Sequence, residues 1–148
     1  MIEIAQIIKP GLLTTVQDLG RKGYQKEGIV VSGAMDAYSF QMANLLVGND
    51  RNAPALEITY IGPVLKFLGD AQIAITGAKA DVFLDGDEIS LWKSHKIKKG
   101  QVLAFSPAIQ GVRLYLAIGG GICVPKKLDS SSTYIAGKLG GYDGRKLE

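Results

Sequence analysis

Acidic, amide and cationic side chains crowd a glycine-punctuated segment near the start of the chain. Gln17, Asp18 and Arg21 lie within one short stretch, and Ser32 and Asp36 follow at the predicted start of a helix. A carboxylate there could serve as a general base or orient an amide, and a guanidinium could hold a carboxylate or a phosphate. Such segments are typical of functional loops on a rigid scaffold, although a polar loop can also be an ordinary connection.

A second polar group comes from two predicted strands. Glu57 and Thr59 are two residues apart and therefore share one face of a strand, and Arg113 and Tyr115 do the same on another. The apolar residues between and beside the latter pair take the opposite face: Val112, Leu114, Leu116 and Ile118. If that apolar face is the core, Arg113 and Tyr115 point either to solvent or into a second, polar cavity. A purely structural Arg113–Glu57 ion pair is the alternative interpretation.

Several kinds of site are not predicted. The sequence has no G-x-x-x-x-G-K-[ST] motif, and the glycines at 119–121 are followed by Pro125 rather than a helix, which favours a tight turn over a dinucleotide site. The single histidine, His95, lies among lysines and is expected at the surface. Cys123 has apolar neighbours and no cationic partner, so we interpret it as a packing residue. No metal site is predicted.

Composition predicts one ordinary globular domain. The chain has 148 residues, of which 47% are hydrophobic, and a formal charge of +3. Its 19 glycines exceed the usual ~7% and favour a β-rich barrel or sandwich with many turns. The lysine clusters lack interleaved aromatic residues, so nucleic-acid binding is not predicted. No stretch is long and apolar enough to span a membrane, and no signal peptide is apparent, so we expect a cytoplasmic protein.

The periodicity of apolar residues predicts one helix among many short strands. The helix is expected at about residues 36–47, with an apolar stripe formed by Met35, Tyr38, Met42, Leu45 and Leu46. Residues 14–33 are predicted to be a long loop with a short strand at 28–31. Strands are predicted at 2–7, 55–60, 64–68, 72–76, 81–84, 88–92, 101–105 and 112–118. Residues 84–88 (LDGDE) are expected to form a hairpin turn.

Five ordered motifs resemble a known family over essentially the whole chain. They are GLLTTVQDLGR at 11–21, SGAMD at 32–36, ANLLVGN at 43–49, LEIT at 56–59 and RLYLAIGGG at 113–121. They are similar to the C-type subunit of bacterial ATP-dependent 5-oxoprolinase, whose family is also called allophanate hydrolase subunit 2. The same domain type forms half of the carboxyltransferase in urea carboxylase. The resemblance implies a mainly β fold, a cyclophilin-like β-barrel with one main helix.

The resemblance also implies an activity and partners. The implied function is the ATP-dependent opening of the 5-oxoproline lactam to glutamate, in a complex with a related, carboxyltransferase-type partner of the oxoprolinase B type and a third catalytic subunit. We assign Asp18, Asp36 and Glu57 as candidate catalytic residues. The candidate substrate-binding residues are Gln17, Arg21, Ser32, Arg113, Tyr115, Ser130, Ser132 and Thr133. ATP is the implied cofactor, and biotin would be needed only by a carboxyltransferase.

The chain departs from the family pattern in two ways. Residues 129–133 are DSSST where family members usually have GSRST, so an arginine that could contact an anion is missing. Family members also continue into a second half beyond the GGYDGR motif at 140–145, so we expect residues 1–148 to be a single carboxyltransferase-type domain that lacks this half. Two alternative functions stay open. One is a biotin-dependent carboxyltransferase domain of the urea carboxylase type, and the other is a non-catalytic regulatory module that binds a partner.

Overall fold

The computed structural model describes residues 4–20, 33–122 and 146–147, which form ten strands and one helix. The strands are β1 (Ala5–Lys9), β2 (Leu13–Gln17), β3 (Ala55–Thr59), β4 (Val64–Phe67), β5 (Ala71–Lys79), β6 (Val82–Leu84), β7 (Asp87–Ile89), β8 (Ser94–Ile97), β9 (Val102–Phe105) and β10 (Gln110–Ile118). The helix α1 spans Ala37–Leu46. The predicted mainly β fold with one main helix is confirmed.

The strands pair into two antiparallel sheets of five strands each. The first sheet has the order β1-β4-β9-β6-β7, and the second has the order β2-β3-β10-β5-β8. Their apolar faces meet in one core that includes Ile58 and Leu116 from the second sheet and Phe67 and Leu103 from the first. The architecture of the described residues is therefore two facing sheets, and the strands there do not close into the barrel that the resemblance implied.

The outer face of the second sheet carries helix α1. Phe40 and Ala43 of the helix pack against Ala74, Tyr115 and Ala117 of the sheet. Side chains alternate along β10, so Leu114 and Leu116 enter the core between the sheets while Tyr115 and Ala117 face the helix. The central strands β3, β10 and β5 of the second sheet are thus covered by the helix on one side and by the first sheet on the other, and the helix-facing side holds the polar groups described below.

Helix α1 has the predicted bounds but not the predicted buried face. Asp36 is its N-cap and Val47 its C-cap, and Gly48 follows with φ +75°. The stripe expected to be buried is wrong at three positions, since Met35, Tyr38 and Leu45 are exposed. The buried apolar residues are Phe40, Ala43 and Val47, which have the same three- and four-residue spacing on another face. The sheet selects this face because the small Ala43 side chain permits close packing.

The predicted loop over residues 14–33 is wrong at its beginning. Residues 13–17 form β2, which pairs with β3 from Leu13 opposite Thr59 to Gln17 opposite Ala55. This strand was missed because its buried side chains are mostly polar, and hydrogen bonds stabilise them instead of an apolar face. Thr14 Oγ1, for example, donates to the carbonyl of Pro10 at 2.8 Å. Strand β8 was also not predicted, and the strand proposed at 28–31 lies outside the described residues.

A bulge interrupts the pairing of β10 with β5. Gln110 lies opposite Lys79 and Leu114 opposite Gly77, so four steps along β10 match two along β5. The alternation predicted for Val112 therefore fails, and this side chain is 53% exposed. Gly77 has φ +103°, and a Cβ at this position would lie 2.4 Å from the carbonyl oxygen of Arg113. The bulge thus requires glycine here.

Candidate functional site

The pairing of β3 with β10 sets Glu57 directly opposite Tyr115. The Tyr115 hydroxyl donates to Glu57 Oε2 at 2.8 Å, and the backbone N–H of Met35 donates to the same carboxylate oxygen at 2.8 Å. The Tyr115 hydroxyl in turn accepts from the backbone N–H of Asp36 at 2.9 Å. Glu57 and Tyr115 thereby attach the residues that precede helix α1 to the second sheet.

Tyr115 acts in this network as a neutral hydrogen-bond donor. The side chain is fully buried beneath helix α1, with its ring edge-on to Phe40 at a centroid distance of 6.1 Å. Burial raises the pKa of the Tyr115 phenol, the backbone bond from Asp36 lowers it, and the nearby Glu57 carboxylate raises it again. The net result is a pKa well above the usual value for tyrosine. The phenol is therefore protonated at physiological pH.

Arg113 lies on the same face as Tyr115, next to Glu57. Its Nε is 3.6 Å from Glu57 Oε1, a distance that fits an ion pair but exceeds a good hydrogen bond. This Nε is buried and, within the described residues, has no hydrogen-bond acceptor. The side chain as a whole is 29% exposed. The ion pair considered as a structural alternative is present, and it leaves a desolvated donor without a hydrogen bond.

A cavity of about 660 Å³ lies beside the Arg113 side chain. Its walls include Met35 and Asp36 before the helix, and Lys79 and Gln110, which lie opposite each other at one end of the bulge. Lys79, Gln110 and Met35 were not identified from the sequence. The signal that could have indicated the cavity is the pair of glycines, Gly77 and Gly111, inside strand-like segments, because glycine in a strand commonly marks a bulge.

Gln17 and Asp18 support the segment that leads into the cavity. Both side chains are buried. Gln17 Oε1 accepts from the N–H of Gly33 at 3.2 Å, and the Asp18 carbonyl accepts from the N–H of Ala34 at 2.9 Å. The Asp18 carboxylate also accepts from the N–H of Gly20 at 2.8 Å. These residues therefore fix the backbone just before Met35.

Asp36 caps helix α1 and is also part of the cavity wall. Its Oδ1 accepts from the N–H of Ser39 at 3.0 Å, and its Oδ2 accepts from the Ser39 hydroxyl at 2.5 Å. Both oxygens of this candidate catalytic carboxylate are thus bound to Ser39.

The structure brings together four of the predicted site residues, Asp36, Glu57, Arg113 and Tyr115. Five others lie outside the described residues, namely Arg21, Ser32, Ser130, Ser132 and Thr133. In the part of the chain that the structure describes, no three His, Cys, Asp or Glu side chains are grouped closely enough to hold a metal ion. No helix there is long and apolar enough to cross a membrane.

Comparison with known proteins identifies the family of the chain. Residues 27–148 match the family described as carboxyltransferase domain, subdomain A and B. The chain belongs to this carboxyltransferase family. It is 48% identical over 144 residues to urea amidolyase of Saccharomyces cerevisiae, covering 97% of this chain and 8% of that protein. It is 43% identical over 143 residues to the C-type subunit of 5-oxoprolinase from Escherichia coli, covering 97% and 46% respectively. The family resemblance found in the sequence is confirmed.

The solved structures extend the likeness to the fold. The carboxyltransferase-family chain aligns with the crystal structure of Kluyveromyces lactis urea carboxylase at a TM-score of 0.96 and 42% identity, covering 98% of this chain and 13% of that one. It spans about half the length of the Escherichia coli 5-oxoprolinase relative and under a tenth of the urea amidolyase.

The polar cluster of this carboxyltransferase domain is suited to binding. The Arg113 guanidinium offers a planar set of donors for a carboxylate, a phosphate or a carbonyl oxygen. Glu57 and Asp36 accept hydrogen bonds from the backbone and from neighbouring side chains, which positions the residues around the cavity. The arrangement can therefore orient a small polar or anionic molecule beside Arg113.

Proposed function

We propose that this chain is part of a subunit of an ATP-dependent 5-oxoprolinase. In this proposal it supplies one carboxyltransferase-type domain, residues 1–148, to a cytoplasmic complex with a related partner of the oxoprolinase B type and a third catalytic subunit. The complex opens the lactam of 5-oxoproline to glutamate. Two relatives named as C-type subunits of 5-oxoprolinase, from Escherichia coli and Haemophilus influenzae, support the proposal. Their identities are 43% and 37% over 97% and 90% of this chain.

The observation that carries the proposal is the buried Nε of Arg113, which has no hydrogen-bond acceptor among the described residues and belongs to a side chain that lines the large cavity. An unsatisfied buried donor typically costs about 1–3 kcal/mol. A carboxylate such as that of 5-oxoproline, bound in the cavity beside the exposed part of the guanidinium, would pair with Arg113 and compensate electrostatically for the donor that Glu57 leaves unsatisfied. The substrate carboxylate is therefore assigned to Arg113.

The acids of the domain suggest that it orients substrate while another subunit transfers protons. Glu57 and Asp36 are bound to Tyr115, Ser39 and backbone N–H groups, and the Asp18 carboxylate is buried and bound to Gly20. A general base needs a lone pair directed at the substrate proton. We accordingly propose Asp18, Asp36 and Glu57 as positioning groups. The other proposed binding residues stay Gln17, Arg21, Ser32, Tyr115, Ser130, Ser132 and Thr133.

The experiment is a reconstitution in which the chain, its two partner subunits, ATP and 5-oxoproline are mixed and glutamate formation is measured. Arg113→Lys keeps the charge but loses the planar fork, so we expect KM for 5-oxoproline to rise by about tenfold with a smaller change in kcat. The matched control is Arg51→Lys, because Arg51 is exposed and is not among the residues lining the cavity. An absence of glutamate, with a full-length homologue active under the same conditions, contradicts the proposal.

The second candidate function is that of a biotin-dependent carboxyltransferase domain of the urea carboxylase type. The observation that favours it is the 48% identity to urea amidolyase of Saccharomyces cerevisiae, together with the TM-score of 0.96 to the Kluyveromyces lactis urea carboxylase. In this case Arg113 would hold a carbonyl or carboxyl oxygen, and biotin would arrive on another protein.

The two candidates are separated by assaying the chain both in the reconstituted complex with 5-oxoproline and ATP and with a biotin carrier and urea. Incubation with a carboxylated biotin carrier and urea should yield carboxylated urea if the second candidate is correct. Production of glutamate without any transfer to urea identifies the first. A tight complex with a partner protein that shows neither reaction would instead indicate a non-catalytic binding module.

A further inference from the structure

A second cavity adjoins the large one. It has a volume of about 320 Å³ and shares the wall formed by Gly77, Ala78 and Lys79. Lys79 therefore borders both cavities, whereas Arg113 borders only the large one. Residues 77–79, near the end of β5, therefore border both spaces.

The far wall of the small cavity includes Trp92, the one tryptophan of the sequence. The Trp92 side chain is 42% exposed, and its backbone has φ +59°, a left-handed conformation that is uncommon for a bulky residue. Two contacts hold it there. The backbone N–H of Trp92 donates to the carbonyl of Ile75 at 2.7 Å, and the indole ring lies 6.3 Å from the ring of Tyr38 at an angle of 34°. Backbone strain of this kind is concentrated at functional sites.

The charges around the two cavities differ. The large cavity has the cationic groups of Lys79 and Arg113. The one carboxylate among its described lining residues is that of Asp36, whose two oxygens accept hydrogen bonds from Ser39. The small cavity adds the carboxylates of Asp81 and Glu88 to the Trp92 ring. A ligand that spans both cavities would thus meet an aromatic surface with hydrogen-bond acceptors at one end and cations at the other. An aromatic ring with an amino group, attached to an anion, matches this order.

We propose that the two cavities form one binding site for a nucleoside phosphate. The base stacks on Trp92, its exocyclic amino group donates to Asp81 or Glu88, and the phosphates contact Lys79 and Arg113. Stacking of a base on an aromatic side chain is effective without any sequence motif, which is consistent with the lack of a Walker-type loop. The inference rests on the proposed function, because an ATP-dependent lactam hydrolase needs a nucleotide site.

The experiment measures binding and not turnover. Because Trp92 is the sole tryptophan, its emission reports on the small cavity alone. The chain is titrated with ATP, with excitation at the red edge of the tryptophan band, where ATP does not absorb. Saturable quenching by ATP is expected, with weaker binding of adenosine. Tripolyphosphate should displace ATP without quenching the emission itself.

Two lysine variants separate a built site from general attraction of anions. Lys79→Ala should weaken ATP binding by about tenfold through loss of a phosphate contact. The matched control is Lys98→Ala, which removes the same charge from an exposed residue that lines neither cavity. Trp92→Ala, followed by calorimetry, should weaken ATP binding by roughly tenfold and leave tripolyphosphate binding unchanged.

Three results overturn the proposal. The first is no saturable quenching at millimolar ATP. The second is an equal effect of Lys79→Ala and Lys98→Ala on ATP binding. The third is an ATP affinity that is the same for Trp92→Ala and for the unaltered chain. A failure here leaves glutamate formation in the reconstituted complex intact if ATP is held by one of the partners. The two proposals can therefore fail separately.

Discussion

The Tyr115 hydroxyl donates a 2.8 Å hydrogen bond to Glu57 Oε2 across 58 positions of sequence. The same two side chains accept the backbone N–H groups of Asp36 and Met35. One buried pair in the second sheet therefore determines where the chain enters helix α1. Because Glu57 also forms an ion pair with Arg113, the pair couples the start of the helix to the proposed anion-binding group.

Replacing Tyr115 should measure the strength of this attachment. Tyr115→Phe removes the donor to Glu57 and leaves the N–H of Asp36 without its acceptor. We expect the free energy of unfolding to fall by about 1–3 kcal/mol, as is typical when buried polar groups lose their partners. Urea denaturation at neutral pH gives the value.

The control for this variant is Tyr60→Phe, since Tyr60 is 43% exposed. Its effect should stay within about 0.5 kcal/mol, as for most surface substitutions. Equal effects of the two variants would show that the hydrogen bonds of the Tyr115 hydroxyl do not add to the free energy of unfolding.

The raised pKa of Tyr115 predicts a stability change at alkaline pH. In the folded state the phenol keeps its proton above pH 10, whereas in the unfolded chain it ionises near its usual value of 10. The unfolded state therefore binds fewer protons above that pH, and the free energy of unfolding falls as the pH rises toward the folded pKa. The contribution is fully present below pH 10. Tyr115→Phe should lose this part of the alkaline dependence.

Absorbance of tyrosinate provides an independent measurement. Tyr115 is one of six tyrosines in the sequence and should ionise only together with unfolding, so this late fraction should be missing in Tyr115→Phe. In denaturant, the Tyr115 phenol should ionise near the usual value for tyrosine. Early titration of all tyrosines in the folded protein would contradict the assignment.

Substitutions of Asp36 distinguish a helix cap from a catalytic acid. Asp36→Ala should lower the free energy of unfolding by about 1 kcal/mol, because Ser39 loses its acceptor. Asp36→Ser keeps a capping oxygen and should restore most of this stability. If Asp36 positions rather than transfers protons, Asp36→Ser should also retain activity in the reconstituted complex. A stable Asp36→Ser variant without activity would make Asp36 catalytic.

Gly77→Ala should cause a large loss of stability. Its Cβ would lie 2.4 Å from the Arg113 carbonyl oxygen, and the residue has φ +103°. We expect a loss of about 3 kcal/mol or more from the combined strain and clash. Gly86→Ala is the matched control, because Gly86 has φ +83° with no atom within 4 Å of a Cβ there. Gly86→Ala should lower stability by only about 1 kcal/mol. Chemical denaturation of both variants tests the difference.

Local patterns were enough to predict most elements of the fold. Alternation identified the strands that now form β3, β4, β5 and β10, and the hairpin between β6 and β7 was predicted from an Asp-Gly turn. That turn has Asp85 at φ +50° and Gly86 at φ +83°. The helix was predicted to within one residue from the spacing of its apolar residues, and in the structure Asp36 caps its start and Gly48 follows its end. These features depend on residues close together in the sequence.

Helix α1 illustrates what local patterns leave open. It has apolar residues on two faces, and spacing alone favoured the one with Tyr38 and Leu45. In the structure, the face with Phe40 and Ala43 is the one that packs against the sheet. Strand β2 was missed for a related reason, since its threonines are buried and its pairing is with β3, about 40 residues away in the sequence.

The sequence alone determined which side chains share a face, such as Glu57 with Thr59 and Arg113 with Tyr115, because neighbours in a strand alternate with a period of two. Only the tertiary structure decided that β3 and β10 are adjacent, with Tyr115 opposite Glu57. It also decided that the residues at the bulge opposite Gly77 line a cavity beside Arg113. Strand partners and register depend on burying whole faces against distant parts of the chain, so no short segment specifies them.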